Sequence, residues 1–482
     1  MLVVFAALLT LAVYLAREHA IAGAPGFPLD DSWIHLHFAR NIAEGAGFSY
    51  NPGRPVAGST APLWTLLLAA VALVAGPSLL TAKAVGVATT ISAALVLRRV
   101  GLAWGLGGPV ALTAAVLLVW SGPVVWGALS GMEVSLAALL VSGALLAHVR
   151  GRLLATAVLI SLAPLARPEA CVLIPLFVLA APITIRRVVV FSVVAAAVLT
   201  PSILFSLATV GAPIPATAAA KIEGGLIGWL SGVHENAFRT WIDRPWHFLA
   251  AWLWWLGMTH WFLPLAVVPG IVVGWRRKGR ALGVPALALL LHPLAMALLA
   301  PYRDPGFQEG RYSIHLLPLA LLVLGVAVAE VTATRRRVAL SAFLAVALVT
   351  LPSAATRYAW GVQNINAMQV HLGRWLDRNV PRSARLAVND VGAIAYFSRR
   401  EVTDLMGLVT PDVLPYRRRG EPGVIEYVQD TCPDYVVVFP AWFPGLTARR
   451  DMIEPIYRIR LAHNEVLGAD EMVVYRLRRC TV

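Results

Sequence analysis

Two adjacent carboxylates, Asp30 and Asp31, stand in a polar stretch near the start of a 482-residue chain that is otherwise poor in charge. A carboxylate pair can supply a general base, because one charge raises the pKa of the other. The same pair also suits the beginning of a helix near Ser32, where acids cap free N–H groups and meet the helix dipole. Beyond it come His35, His37, Arg40, Glu44, Tyr50 and the turn Asn51-Pro52-Gly53. His35 lies one turn after Asp31, a spacing that fits a structural contact better than a metal ligand. His37, Arg40 and Glu44 share a helical face with Trp33, where pairing within the helix is the ordinary outcome. Further along stand Glu133 in Ser130-Gly131-Met132-Glu133, Arg167 and Glu169 around Pro168, Lys221 after Pro215 and Thr217, and Arg311-Tyr312. Fixed cations can stabilise a phosphate leaving group as its charge develops, or can simply snorkel to a membrane surface.

No set of residues has the spacing of a metal centre, so no metal ligand is assigned. Asp30, Asp31 and the neighbouring histidines offer fewer oxygens than a hard cation usually takes; a divalent cation stays open, and a chelator would test it. Three cysteines exclude a disulfide framework and a thiolate cage. Cys171 lies in an apolar run, whereas Cys432 and Cys480 both fall in the polar C-terminal region and can pair there in an oxidising compartment.

These side chains must be positioned by a membrane-embedded scaffold. Hydrophobic residues make up 58% of the chain and charged residues 14%, so most of it lies in lipid. The net charge of +14 does not indicate a nucleic-acid partner: the arginines come in short clusters between apolar runs, and no basic-aromatic stripe is present. Eleven runs, at about 1–17, 79–97, 103–121, 133–149, 153–166, 168–184, 188–208, 259–275, 281–300, 312–331 and 337–355, can span or nearly span a bilayer. The first reads as a retained signal anchor, with a cleaved signal peptide as the alternative. Arg98-Arg99, Arg150/Arg152, Arg186-Arg187, the cluster 276–280 and Arg335-Arg336-Arg337 all become cytoplasmic if 62–76 does not cross. That short segment is therefore expected to lie along the external interface, with Pro62 in its first turn and Trp64 as an interfacial anchor.

The N-terminus is then inside, and every conspicuous polar residue outside. Arg167-Pro168 marks an external corner or a broken helix lining a cavity. From about residue 356 an amphipathic helix ending before Pro381, then strands in ARLAV, EVTDL, DYVVVF and EMVVYRL, predict a small external α/β domain. The organisation is thus a mainly α polytopic transmembrane domain, 1–355, whose first external loop spans 18–78, followed by an α/β domain, 356–482. The latter has no Gly-rich phosphate loop and no nucleophile–base pair, so its expected role is structure or acceptor docking.

The stretch DDSWIHLHFARNIAEGAGFSYNPGRPVAGSTAPLWTLLLA at 30–69 resembles the first external loop of GT-C superfamily glycosyltransferases. It is most similar to the branch containing the mycobacterial terminal arabinofuranosyltransferase. SGME at 130–133, LARPEA at 165–170, PIPATAAAK at 213–221, GRY at 310–312 and NDVGAIAYFSRREVTDLMGLVTPD at 389–412 follow in the same order. The chain departs from the branch in reading Ala216-Thr217 where Asn-Thr is common, and in being shorter.

The resemblance implies a polyprenyl-phosphate-linked sugar donor from the outer leaflet and an external glycan, lipid or protein acceptor. It implies an Asp of the pair as base, Asp30 in preference, with Asp31 orienting the acceptor or holding a metal. Lys221, Arg167 and Arg311 would meet the lipid phosphate. His35, His37, Arg40, Tyr50, Trp64, Glu133, Glu169 and Tyr312 would line the substrates, and the 62–76 helix would shape the lipid entrance. Arabinofuranosyl transfer is the first expectation; mannosyl or other hexosyl transfer is its nearest rival. A flippase of lipid-linked saccharides would need repeat symmetry and polar groups on both sides, and an inactive scaffold would not need the acids and cations together. An Arg-rich, Lys-poor composition points to a GC-rich bacterial genome, and so to the plasma membrane. No oligomeric state is implied.

Overall fold

In the computed structural model, which describes residues 1–222, 224–230 and 232–478, each of the eleven apolar runs forms a helix or a helix pair. Among the described residues five helices are long and apolar enough to cross a bilayer by themselves: Leu2–Ala22, Leu79–Ala103, Ile185–Val210, Arg280–Leu299 and Ala333–Asn379. Two helix pairs reach that length and apolarity only together and are bent at the join, Gly108–Val119 with Gly122–Leu129 by 55° and Arg239–Thr259 with Leu263–Lys278 by 105°. The others, such as Val134–Val149 and Leu153–Ala166, are shorter apolar helices. They pack inside the bundle; Val134, Ala137, Val141 and Leu145 are fully buried. Small residues set the closest approaches: a Cβ on Gly86 would stand 2.2 Å from the Ala128 carbonyl oxygen. Helix Arg244–Thr259 was not expected, since its run of Trp, His and Arg is neither long nor purely apolar.

Helix Pro62–Ala75 has both ends on one side. At its start the Thr65 hydroxyl lies 3.2 Å from His35 Nδ1 in the first loop, and just past its end the Pro77 carbonyl accepts from the Tyr396 hydroxyl of the C-terminal domain. Its 14 residues span only about 21 Å, and these contacts tie both of its ends to the polar end of the bundle, as expected for a helix that lies along the interface. Trp64, however, is not an interfacial anchor. It is fully buried and donates to the Gly131 carbonyl at 2.9 Å, because its face of the helix packs on the 130–133 turn rather than on lipid.

The C-terminal domain follows the long last helix, which continues through 355 without a break and stops at Asn379, before Pro381. Strands β1 (Arg385–Val388), β2 (Glu401–Asp404), β3 (Tyr435–Val438), β4 (Ile453–Arg460) and β5 (Glu471–Leu477) form one sheet in the order β2-β1-β3-β5-β4. The first three are parallel, and β5 and β4 add antiparallel. Alternate residues bury both faces. Ala387, Val436 and Val438 pack with Val424 and Val428 on one side. Leu386, Val388 and Val437 share the opposite core with Ile34, Phe38 and Tyr50 of the first loop. The domain and the first loop are therefore one packed unit. The expected Cys432–Cys480 pairing involves Cys480, which lies outside the described residues.

Candidate active site

Helix Asp31–Ala43 opens the polar part of the first loop. Successive helical residues point about 100° apart, so the two acids cannot serve one place. Asp31 faces a cavity of about 260 Å³. Asp30 turns to the C-terminal domain, where its two oxygens accept the backbone N–H groups of Gly392 at 2.7 Å and Ala393 at 2.8 Å. Burial is the main reason the Asp30 carboxyl is pushed up to about 7; those two N–H groups oppose it, and the Asp31 charge adds to it.

Asp31 Oδ2 accepts from Arg311 Nη1 at 2.9 Å and lies 3.4 Å from Lys221 Nζ. Burial disfavours its charge, but Lys221 and Arg311 outweigh that and hold the carboxyl well below the usual carboxylate range. Arg311 also donates to the Tyr312 hydroxyl at 3.0 Å, while its Nε has no partner among the described residues. Its approach is fixed by a strained turn. Gln308 and Glu309 both adopt the left-handed conformation, with φ of 49° and 59°, which costs a non-glycine residue about 1–3 kcal/mol. Trp255 Nε1 holds the Glu309 carbonyl at 3.1 Å, and Arg357 holds its carboxylate at 3.0 Å.

Arg167 sits at the break between helix Leu153–Ala166 and the short turn Pro168–Val172, in extended backbone. It lines the cavity, but its charge is already engaged by Glu133 and, at 3.1 and 3.2 Å, by Glu169. Its guanidinium and that of Arg311 both lie over the Tyr312 ring, at 4.6 and 5.0 Å. His35 also lines the cavity, with Nε2 3.2 Å from Glu133 Oε2 and Nδ1 within reach of the Thr65 and Ser59 hydroxyls. Glu133, fully buried, thus ties His35 and Arg167 together from behind.

The cavity therefore collects Asp31, His35, Arg167, Glu169, Lys221, Arg311 and Tyr312. Four expected residues join Asp30 as braces. His37 lies 2.9 Å from the Tyr50 carbonyl and stacks on that ring at 4.2 Å. Burial takes it down to about 3, so it is neutral. Arg40 donates to the Tyr396 carbonyl at 2.8 Å, and Tyr50 to the Val391 carbonyl at 2.8 Å. Trp64 holds the 130–133 turn. Sequence reasoning missed Tyr302 and Arg303, which also line the cavity; the Arg303 guanidinium lies over Tyr302 and Phe307 and has no carboxylate partner among the described residues. Their signal was the aromatic-basic start of the loop whose far end, Arg311-Tyr312, was noticed. No group of three or more metal-ligating side chains occurs among the described residues.

A family profile described as Domain of unknown function (DUF8728) matches residues 363–475. No curated protein gives a match. Among solved structures, the chain is similar to ArnT from Cupriavidus metallidurans bound to undecaprenyl phosphate, with TM-score 0.60 and 13% identity over 97% of this chain and 97% of that one. It is similar also to the archaeal oligosaccharyltransferase AglB from Archaeoglobus fulgidus in complex with an inhibitory peptide and a dolichol-phosphate. There the TM-score is 0.58 and the identity 10%, over 98% of this chain and 75% of that one. For a mutant of the mycobacterial arabinofuranosyltransferase AftD the TM-score is 0.44, at 16% identity, over 98% and 41%, too slight a likeness to argue from. The first two define the fold: this is a multi-pass membrane protein of GT-C architecture with a C-terminal α/β domain.

Proposed function

We propose that the protein transfers a sugar from a polyprenyl-phosphate donor to an acceptor hydroxyl. The observation that carries this reading is a carboxylate, Asp31, held by two cations on the wall of a cavity that is otherwise largely apolar, with Ile214, Ala295, Met296 and Leu299 among its lining. An isoprenoid chain fits the apolar part and its phosphate the cations. The fold relatives named above that carry undecaprenyl phosphate and dolichol-phosphate support the same donor class.

In this reading the phosphodiester of the donor draws Lys221 and Arg311 away from Asp31, with Arg303 and the Nε of Arg311, unmatched among the described residues, as further contacts. Losing those two cations raises the proton affinity of Asp31 as the donor arrives. Asp31 then takes the proton of the acceptor hydroxyl, whose oxygen attacks the anomeric carbon. The bond from that carbon to the phosphate oxygen breaks, and the electron pair leaves with the polyprenyl phosphate, stabilised by the same cations. We assign the proton to Asp31 and not to Asp30 because reach precedes pKa in choosing a base, and both Asp30 oxygens are committed to the C-terminal domain. Arg167, engaged by Glu133 and Glu169, positions Tyr312 and, through Glu133, His35.

The cavity faces the outside in this proposal, since the five basic clusters lie at the helix ends away from it. The finer assignment, arabinofuranosyl transfer, rests on the motifs of the first loop; mannosyl or another hexosyl transfer is the alternative. Purified protein incubated with polyprenyl-phosphate arabinofuranose and mannose tests both, read as release of polyprenyl phosphate. Asp31→Asn should abolish release, and full transfer by that variant removes the mechanism.

A further inference from the structure

The sheet of the C-terminal domain reverses its winding at β1: the chain continues to β2 on one side and returns to β3 on the other. In sheets with parallel strands, ligands sit in the crevice outside the carboxyl ends of the strands at such a reversal. Here those ends are Val388-Asn389-Asp390 and Val438-Phe439, joined by the Phe439 N–H to Asn389 Oδ1 at 3.0 Å. The turn leaving β1 is the one whose N–H groups hold Asp30. The position marked by the reversal thus lies beside the helix end that carries Asp31, close enough for Asp390 to feel the charges of both acids.

The polar groups gathered here exceed what the protein satisfies. Asp390 accepts from Gln369 Nε2 at 2.7 Å through one oxygen, and its other oxygen has no hydrogen bond among the described residues. Gln369 is fully buried, yet its amide oxygen has no partner there. Asn389 is 2% exposed, and its amide nitrogen is likewise unmatched. Such groups are rare in folded proteins, because each gives up its hydrogen bonds to water without replacement. Asp30 and Asp390 themselves remain partly open to solvent. Among the described residues the groups that act on Asp390 are acids and Gln369, with no cation to meet a phosphate, and no three-ligand metal group is present. A hydroxyl matches what is missing: it gives a proton to a carboxylate or amide oxygen and accepts one from an amide N–H.

We propose that this crevice, walled by Asp30, Asp390 and Gln369, is the acceptor subsite, and that it binds a vicinal diol of a sugar. A neighbouring hydroxyl of the same acceptor is thereby presented to Asp31. The catalytic meaning of the subsite rests on the glycosyl-transfer reading; the sugar binding itself does not.

The test uses the full chain in nanodiscs and saturation-transfer NMR with methyl arabinofuranoside, methyl mannopyranoside and a permethylated mannoside. At least one free glycoside should bind and the permethylated one should not. Asp390→Asn and Gln369→Ala should weaken that binding about tenfold or more, the worth of a hydrogen bond to a charged group. Binding of undecaprenyl phosphate by both variants should remain, which separates loss of the subsite from loss of the fold. Glycoside binding as tight in Asp390→Asn as in the wild type, or no glycoside binding to the wild type, overturns the proposal. If the glycosides bind as expected but Asp31→Asn still transfers sugar, the subsite stands and the transfer mechanism falls.

Discussion

Asp31 is paired twice before any substrate arrives, and a general base so paired is a poor one. Its two partners are the groups a donor phosphate would attract, so in the proposed transfer the two halves of the reaction would share one set of charges. General-base assistance contributes about 10²–10⁴-fold, and Asp31→Asn should lose transfer by that order, measured as polyprenyl phosphate released. The pH profile separates the free protein from the complex. A base works only when deprotonated, so activity falls as pH drops through its pKa. In free protein the Asp31 carboxyl lies well below its ordinary range, so kcat/KM should hold down to about pH 4. In the complex, with the cations drawn to phosphate, kcat should begin to fall at higher pH. An acid limb of kcat at or below that of kcat/KM contradicts the exchange. Glu133 makes a different prediction. Removing one member of a buried ion pair costs about 3–5 kcal/mol, so Glu133→Gln should lower the thermal midpoint while Glu169→Gln, at the cavity edge, lowers it less. At this scale the sequence was informative about which residue types gather, since polar groups in an apolar chain stand out. It was less informative about their direction. The pair at 30–31 reads as one feature, yet helical geometry sends its members to different partners, and the partner of Asp30 lies 362 positions along the chain.

Elements are joined to the site through close backbone contacts that leave little slack. A Cβ on Gly392 would stand 2.0 Å from the Asp30 carbonyl oxygen, so Gly392→Ala must push the C-terminal domain off the first loop. Displacements near 1 Å at a catalytic group can cost about 10²-fold. The expected result is a loss of transfer of that order with greater protease sensitivity after Asn379; a variant as active and as resistant as the wild type argues against the coupling. The same interface gives a pH dependence of stability. Asp30 is raised to about 7 and Asp404 to about 6, both chiefly by burial. A carboxyl raised in the folded state contributes stability that is complete below its unfolded value, about 3.9, and is lost as pH rises through the folded one. The unfolding midpoint should therefore fall between about pH 4 and pH 7, and Asp30→Asn should flatten that fall. Four of the five strands were legible as runs of β-branched and aromatic residues. The missed one, Ile453–Arg460, is an edge strand with Pro455 inside it and a register shift between Pro455 and Tyr457, features that disguise a strand because only an edge tolerates them.

The whole molecule is a helical bundle whose polar chemistry is concentrated at one end, under a domain that shares a core with the first loop. The order of elements imposes this polarity without reference to a membrane. Helix Val134–Val149 runs from Glu133, beside the cavity, to Arg150, and the next returns from Arg152 to Arg167. The last long helix starts beside Arg335 and reaches Arg357, which holds the turn that aims Arg311. Basic clusters thus mark one end of the bundle and the catalytic candidates the other, and Pro62–Ala75 preserves this alternation because it begins and ends on the same side. Positive residues stay on the cytoplasmic side when a chain is inserted, so the cavity and the C-terminal domain should face outward. Single substitutions at exposed positions decide it: Glu426→Cys in the domain, and Arg99→Cys and Arg335→Cys in the clusters. With a membrane-impermeant maleimide on intact cells, and the unsubstituted chain as background, Glu426→Cys should be labelled at once. The other two should react only after permeabilisation. Labelling of Arg99→Cys and Arg335→Cys in intact cells, with Glu426→Cys unlabelled until permeabilisation, would mean that Pro62–Ala75 crosses after all. The shared side of the cavity and domain would then have to be rebuilt from the helix order.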